Sequence, residues 1–584
     1  MVRRHGNYDK HPVTPVGPGL GCHVGWTAIL ERLQGLRTRA RCVLAVECYP
    51  GVRVDEVKQA FVEGLAPILV VDVRQAYRHA TEIERLCAPY LGEDPVFGRM
   101  NGLSLADFFD PGRRASLRSR IERTREGLAL VVGAGASLLV EPDALVYADM
   151  ARWEIQQRQR RGESTAVAVD DHADGPEVKY KRGYFVDWRA ADRVKREVLP
   201  RLDFLLDTND PEHPKMIAGG DLRDGLTETA RRPFRVVPFF DPGPWGGEWM
   251  RAVCDLPSEA PNYGWCFDCV PEENSLLLGF GGERVEVPAL DLVFLHPREL
   301  LGEAVHARFG AEFPIRFDFL DTMGGGNLSL QVHPLTEYIQ DRFGMHYTQD
   351  ESYYLLDAED GAGVYLGLKE GVDREALIRD LRRAQEGGFR FPDELYVNRW
   401  PARKHDHFLI PGGTIHCSGK GSMVLEISAT PYIFTFKLWD WERLGLDGRP
   451  RPLHIDHGVA SIQWERTTSW VERELVNRVE PLAAGPGWRT ERTGLHVREF
   501  LETRRHWFTG TVPHDTGGGV NVLNLVEGEE AVIESPSGDF EPFVVHYAET
   551  FVVPGSVGGY TIRPHGPAAG SECATIKASV RVWA

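Results

Sequence analysis

Three short, continuous apolar runs mark the first third of the chain: "CVLAVECYP" (42–50), "APILVVDV" (66–73) and "LALVVGAGA" (128–136). Runs of that length with no polar alternation are expected of strands buried on both faces of a parallel sheet. Between them, "VDEVKQAFVEGL" (54–65) and "RASLRSRIERTREG" (114–127) space their apolar residues for one helical face. Strand and helix in alternation predict an α/β domain. "RAADRVKREVLPRLDFLLD" (189–207) carries helical periodicity interrupted by Pro200. The polar stretch "GESTAVAVDDHADGP" (162–176) reads as a surface loop.

From about residue 234 the pattern changes. Apolar runs of four to eight residues recur between Gly, Pro and Asp turns, and a single clear helix, "DREALIRDLRRAQEG" (373–387), interrupts them. Such spacing predicts sandwiches or barrels. A second block of this kind starts near 490, and both contain a strand followed by a Pro-Gly turn, "HFLIPGGTIH" (407–416) and "TFVVPGSVGGY" (550–560). Three domains are therefore expected, at 1–233, 234–475 and 476–584.

Composition supports that division. A chain of 584 residues, 42% hydrophobic, suits roughly three globular domains. The net charge of −18 argues against a nucleic-acid or anionic-lipid surface. Nine scattered cysteines fit a reducing compartment better than a disulfide framework. The basic start "MVRRHGNYDKHPVTPVGPG" has no apolar core behind it and does not read as a signal peptide. With no run of ~18 apolar residues, the expectation is a cytoplasmic protein without membrane contact; homo-oligomerisation stays open.

In the front block, "VLAVECYPGVRVDEV" sits where a phosphate-binding loop would sit, between a strand and a helix. Residues 40–200 resemble P-loop kinases of the uridine-kinase kind in the order of their elements and in "YPG" at Tyr49–Gly51. Aligned on Pro50-Gly51, however, the second glycine becomes Arg53, the lysine Val54 and the hydroxyl residue Asp55. A carboxylate there repels phosphate, so no nucleotide site is expected. "VVGAGASLL" (131–139) reads as a tight strand-to-helix turn, and "RWEIQQRQRRG" (152–162) as a basic helix with a solvated face. The lone C-x-x-C at Cys266–Cys269 reads as two buried thiols.

The candidate chemistry lies in the first β block. In "NLSLQVHPLTEY" (327–338) Leu328, Leu330 and Val332 alternate with Ser329, Gln331 and His333, which leave the strand on one side. Glu351 opens the next strand in "DESYYLLDA", and Thr414 and His416 share a face in "HDHFLIPGGTIHCSGKG", where Gly412-Gly413 suits a hairpin turn. Two imidazoles, a carboxylate and an amide oxygen suit Zn(II) with one open position. Spacing alone leaves surface or core histidines as the competing reading.

Taken together, "FPIRFDFLDTMGGGNLSLQVHP", "DESYYLLDA", "GVYLGLKEG", "FLIPGGTIHCSGKGSMVLEIS" and "TFKLWDWERLGLDGRPRPLHID" resemble, in order and spacing, the signatures of class I mannose-6-phosphate isomerases. "WGGEW" (245–249) is similar to that family's entry motif, and the likeness spans about 236–580. The resemblance implies a multidomain α/β plus all-β chain, a P-loop-like α/β domain followed by two cupin-like β-barrels (jelly rolls). It implies one Zn(II) per chain held by Gln331, His333, Glu351 and His416, and aldose–ketose isomerisation of a sugar phosphate through an enediol. Glu426 matches a polar position of the family's strand, as general base or as structural carboxylate. Four positions depart from the family: Gln349-Asp350 stand where Lys-Thr precede the ligand Glu, Asp318 replaces a lysine, and Lys437 replaces an arginine. Lys437 is thus a catalytic candidate, and Ser329, Lys420 and Arg403 are substrate-binding candidates, with Lys404 a further cation that could compensate. The altered cations keep two alternatives in view, a metal-dependent isomerase or epimerase of a different sugar and a non-catalytic sugar-binding regulator.

Overall fold

The computed structural model describes residues 6–17, 21–430, 433–494 and 496–582. Residues 1–5 and 18–19 of the basic N-terminal stretch lie outside them. The chain forms two compact units, Val13–Thr229 together with Glu272–His296, and the β-rich remainder. Among the described residues no helix is long and apolar enough to cross a membrane, and all nine cysteines are free.

The α/β unit is built on seven strands, β1 (Cys22–Val24), β2 (Arg41–Cys48), β3 (Leu69–Asp72), β4 (Gly127–Gly133), β5 (Ala144–Asp149), β6 (Phe204–Asp207) and β7 (Lys215–Ala218). Their order is β1-β7-β6-β5-β2-β4-β3. The five from β6 to β3 run parallel. Every residue of β5, and every residue of β2 except Arg41, is buried. That two-sided burial is why these strands read as unbroken apolar runs. The helix Val54–Leu65 buries Val57, Phe61 and Leu65, one residue per turn, and carries Asp55 and Glu56 in its first turn, where the helix dipole favours acids.

The basic helix differs from its expected solvated face. Within Arg152–Arg160, Arg152 and Arg158 are buried. Arg152 donates to Asp192 at 2.6 Å and to Glu272 at 2.8 Å, and Arg158 donates to the carbonyls of Gly51 at 3.0 Å and Thr208 at 2.6 Å. A buried guanidinium is tolerable only with such partners, and these lie far away in sequence.

The first β block comprises β8 (Phe239–Asp241), β9 (Trp265–Cys269), β10 (Ile315–Asp321), β11 (Leu330–Val332), β12 (Glu351–Ala358), β13 (Gly363–Leu368), β14 (Val397–Pro401), β15 (His407–Ile410), β16 (His416–Ser418), β17 (Ser422–Ala429) and β18 (Phe436–Trp439). They form a six-stranded sheet, β15-β12-β17-β10-β9-β8, and a five-stranded sheet, β14-β13-β16-β11-β18. The expected helix is present at Arg374–Glu386, with the Asp373 carboxylate capping the amides of Glu375 and Ala376. It is not alone. Short helices at Thr336–Phe343, Ile455–Ser461 and Thr468–Glu474 add to it, each seven or eight residues and too brief to establish a period.

The Pro-Gly-Gly segment is not a hairpin. β15 belongs to the six-stranded sheet and β16 to the five-stranded one, so residues 411–415 cross between sheets. Arg466 holds the crossing, donating to the carbonyls of Pro411 at 2.7 Å and Gly412 at 2.8 Å. Gly413 has φ +86°, and a Cβ there would stand 2.7 Å from Gln463. The second β block repeats the manoeuvre, with Thr550–Val553 in its six-stranded sheet and Gly559–Pro564 in its four-stranded sheet.

The core of that block centres on Phe508, Leu523, Leu525, Ile533, Phe551 and Ile562. Beside it His506 and His514 are buried with their rings 4.4 Å apart. Burial, with Lys577 nearby, pushes His506 down to about 3, and burial with His506 pushes His514 well below its ordinary value. A histidine depressed in the fold contributes stability that is fully present above the unfolded pKa of about 6.5 and is lost as pH falls toward the folded value. Each such group adds a slope of about 1.4 kcal/mol per pH unit in that window. His506→Asn is therefore expected to flatten the pH dependence of denaturant stability between pH 4 and 6, read as wild type minus variant. Parallel profiles would refute it.

Candidate metal centre

β11 is short, and its central residue does the joining. Gln331 pairs with His416 on β16 and with Lys437 on β18. His333 follows at the end of β11, and Glu351 opens β12 in the other sheet. The two sheets thus bring four side chains to one point. His333 Nε2 lies 3.1 Å from Glu351 Oε2, His416 Nε2 lies 2.8 Å from Glu351 Oε1, and the Gln331 amide lies 3.2 Å from His416 Nε2. Donor atoms of His333, Glu351 and His416 all fall within 4.8 Å of one another, and all three residues are buried.

The ring tautomers follow from the outer bonds. His416 Nδ1 is 2.8 Å from the Thr414 carbonyl, and His333 Nδ1 is 3.3 Å from the Phe434 carbonyl. Carbonyls only accept, so both Nδ1 atoms carry the proton and both Nε2 lone pairs face the Glu351 carboxylate. With both rings neutral, lone pairs opposed in a dry interior are costly, and a metal cation between them relieves that cost. His333 Nε2 and Glu351 Oε1 are indeed buried without a hydrogen-bond partner. Rotating the Gln331 amide offers its oxygen as a fourth ligand. Two imidazoles fixed through Nδ1, a carboxylate and an amide oxygen fit Zn(II).

Around this point lies a polar network. Gln349 donates to Glu351 at 3.3 Å and to Glu426 at 3.0 Å. Arg316, buried on β10, donates to Glu426 at 2.8 Å and pairs with Asp318 at 2.9 Å. Ser428 donates to the same Glu426 oxygen at 3.0 Å. Burial and the neighbouring carboxylates Asp318 and Glu351 push Glu426 well above its ordinary value, and burial raises Asp318 to about 7 against the pull of Arg316.

A cationic border flanks the other side. Lys437, directly across from Gln331, is half-buried and is pushed down to about 7 by burial and by Arg451. Arg451 donates to Ser329 at 3.2 Å and Asp440 at 3.0 Å, Arg443 donates to Asp440 at 2.5 Å, and Ser329 donates to Asp440 at 2.9 Å. Both guanidinium groups also lie over Trp245, Arg451 at 4.9 Å and Arg443 at 5.6 Å. Sequence reasoning passed over Arg316, Arg443 and Arg451, although all three stand inside the motifs quoted for the resemblance. Lys420 and Arg403 are exposed and make no hydrogen bond or ion pair with the four central residues; Lys404 pairs instead with Glu527.

Residues 25–231 match a family described as a domain of unknown function, DUF8485. The P-loop kinase resemblance of the front block finds no support. In the structure Asp55 is held by Lys58 at 2.7 Å and by Arg74, where a phosphate loop would need a free cation. The chain is 25% identical over 319 residues to the mannose-6-phosphate isomerase of Streptococcus mutans, covering 54% of this chain and 89% of that protein. It is 27% identical over 240 residues to mannose-6-phosphate isomerase ManA of Bacillus subtilis, covering 40% and 68%. The crystal structure of a Bacillus subtilis mannose 6-phosphate isomerase aligns with TM-score 0.49 and 18% identity, over 59% of this chain and 99% of that one.

Proposed function

We propose that the β-rich unit is a zinc-dependent isomerase that interconverts mannose 6-phosphate and fructose 6-phosphate. The observation that carries this reading is the convergence of Gln331, His333, Glu351 and His416 with both imidazole Nε2 lone pairs turned inward. The similarity to mannose-6-phosphate isomerases supports the substrate class.

Bound among these four ligands, zinc supplies Lewis acidity to the sugar's carbonyl and adjacent hydroxyl oxygens. The chain's own residues do the rest. Lys437, Arg443 and Arg451 outnumber Asp440, so this border attracts the anionic end of a sugar phosphate. The register position of Lys437 opposite Gln331 supports a role for its ammonium beside the substrate oxygens where negative charge develops. Glu426 shares one oxygen among Arg316, Gln349 and Ser428, an arrangement that suits holding Gln349, and through it Glu351, in position.

A coupled assay of fructose 6-phosphate release from mannose 6-phosphate tests the reading. Turnover is expected to vanish on chelation and to return with zinc. Equal activity in stripped and zinc-loaded protein would refute metal dependence. Turnover confined to an unphosphorylated sugar would favour a different substrate for the same centre.

A further inference from the structure

The α/β unit holds a cavity of about 580 Å³ at the carboxyl ends of β2 and β4. These strands are neighbours in the sheet, but the chain leaves β2 toward β3 on one side and leaves β4 toward β5 on the other. In open α/β sheets, where connections part in this way, a crevice opens that ligands occupy. Here Tyr49 to Glu56 line it after β2, Gly133 and Ala134 after β4, and Glu163 to Ala168 come from the loop read as surface.

The chain's own carboxylates already fill the places where an anion would bind. Glu47, at the end of β2, accepts from the Gly135 amide at 2.5 Å, and from the Ser137 amide and hydroxyl at 2.7 Å each. That takes the amide cradle after β4. Arg53 pairs with Glu163 at 2.9 Å and Glu56 at 3.1 Å, and Arg74 pairs with Asp72 at 2.6 Å and with Asp55. Both arginines in the lining are thus neutralised, and Asp55, Glu56 and Glu163 leave it net negative. A phosphate would meet repulsion and, among the described residues of the lining, no unpaired arginine. What the lining does offer is paired donors and acceptors held in place, the hydroxyls of Ser164 and Thr165, and apolar wall from Val52, Val54 and Val167. Carboxylates already fixed by guanidinium groups accept from adjacent hydroxyls without costly reordering.

We propose that this cavity binds an uncharged vicinal diol, either a free sugar or the ribose of a nucleoside, and rejects phosphorylated ligands. Calorimetric titration of the full chain with D-mannose, D-fructose, adenosine, uridine and ATP tests it. Saturable binding of a sugar or of a nucleoside is expected, and which pair responds identifies the source. That binding should weaken at least tenfold in Ala134→Phe, which fills the cavity, and in Thr165→Trp, at an exposed rim position. An unchanged circular dichroism spectrum and melting profile in both variants would show that the α/β unit still folds, and retained isomerase activity that the other unit is not the site observed. ATP binding as tight as adenosine, binding untouched by both variants, or no binding of any diol up to roughly 10 mM would each overturn the proposal.

Discussion

Glu351→Gln is expected to empty the metal centre and to lower turnover by about 10³-fold. The substitution keeps shape and volume, so it tests charge rather than packing. Glu351 is the sole acid among the four converging side chains, and both histidine Nε2 atoms face it, at 3.1 and 2.8 Å. Removing its charge leaves two neutral imidazoles and two amides, a set with weak affinity for a divalent ion. The amide would also place an NH₂ group against one of the lone pairs, satisfying the site without metal. Zinc content by mass spectrometry should fall from one per chain to near zero while circular dichroism is unchanged. A variant that keeps both zinc and activity would remove Glu351 from the centre.

The centre was partly legible because strands alternate. Gln331 on β11 and His333 just past its end stand two apart, and their shared side follows from extended-backbone geometry alone. That Glu351 and His416 meet them was legible only through the order of motifs, since nothing local ties β12 to β16. The buried strands of the α/β unit were legible for the opposite reason: full burial on both faces leaves no polar position to confuse the run. The failures share one cause, a partner distant in sequence. Arg152 and Arg158 look like a solvated basic face until Asp192, Glu272 and the Thr208 carbonyl are brought to them. Pro411-Gly412-Gly413 suits a hairpin and a crossing between sheets equally well, and Arg466, more than fifty residues on, accompanies the crossing.

Lys437→Met is expected to lower kcat by about 10²-fold with zinc content unchanged, and Lys437→Arg to recover most of the loss. Methionine keeps the length and apolar stem of lysine, so the β18 strand and its pairing with Gln331 should persist. What is lost is one charge at the edge of the metal centre. Arg451 cannot replace it: its guanidinium is committed to Asp440 and Ser329 and lies over Trp245. The split between kinetic constants separates two roles. A lysine that only gathers the phosphate would raise KM and spare kcat, because that contact is the same in ground and transition states. A lysine beside the oxygens that gain charge lowers kcat, because the contact strengthens as the reaction proceeds. Its register position, opposite Gln331 of the proposed metal centre, favours the second. Loss of zinc along with activity would instead make Lys437 a support for Gln331, and unchanged kinetics would remove it from the reaction.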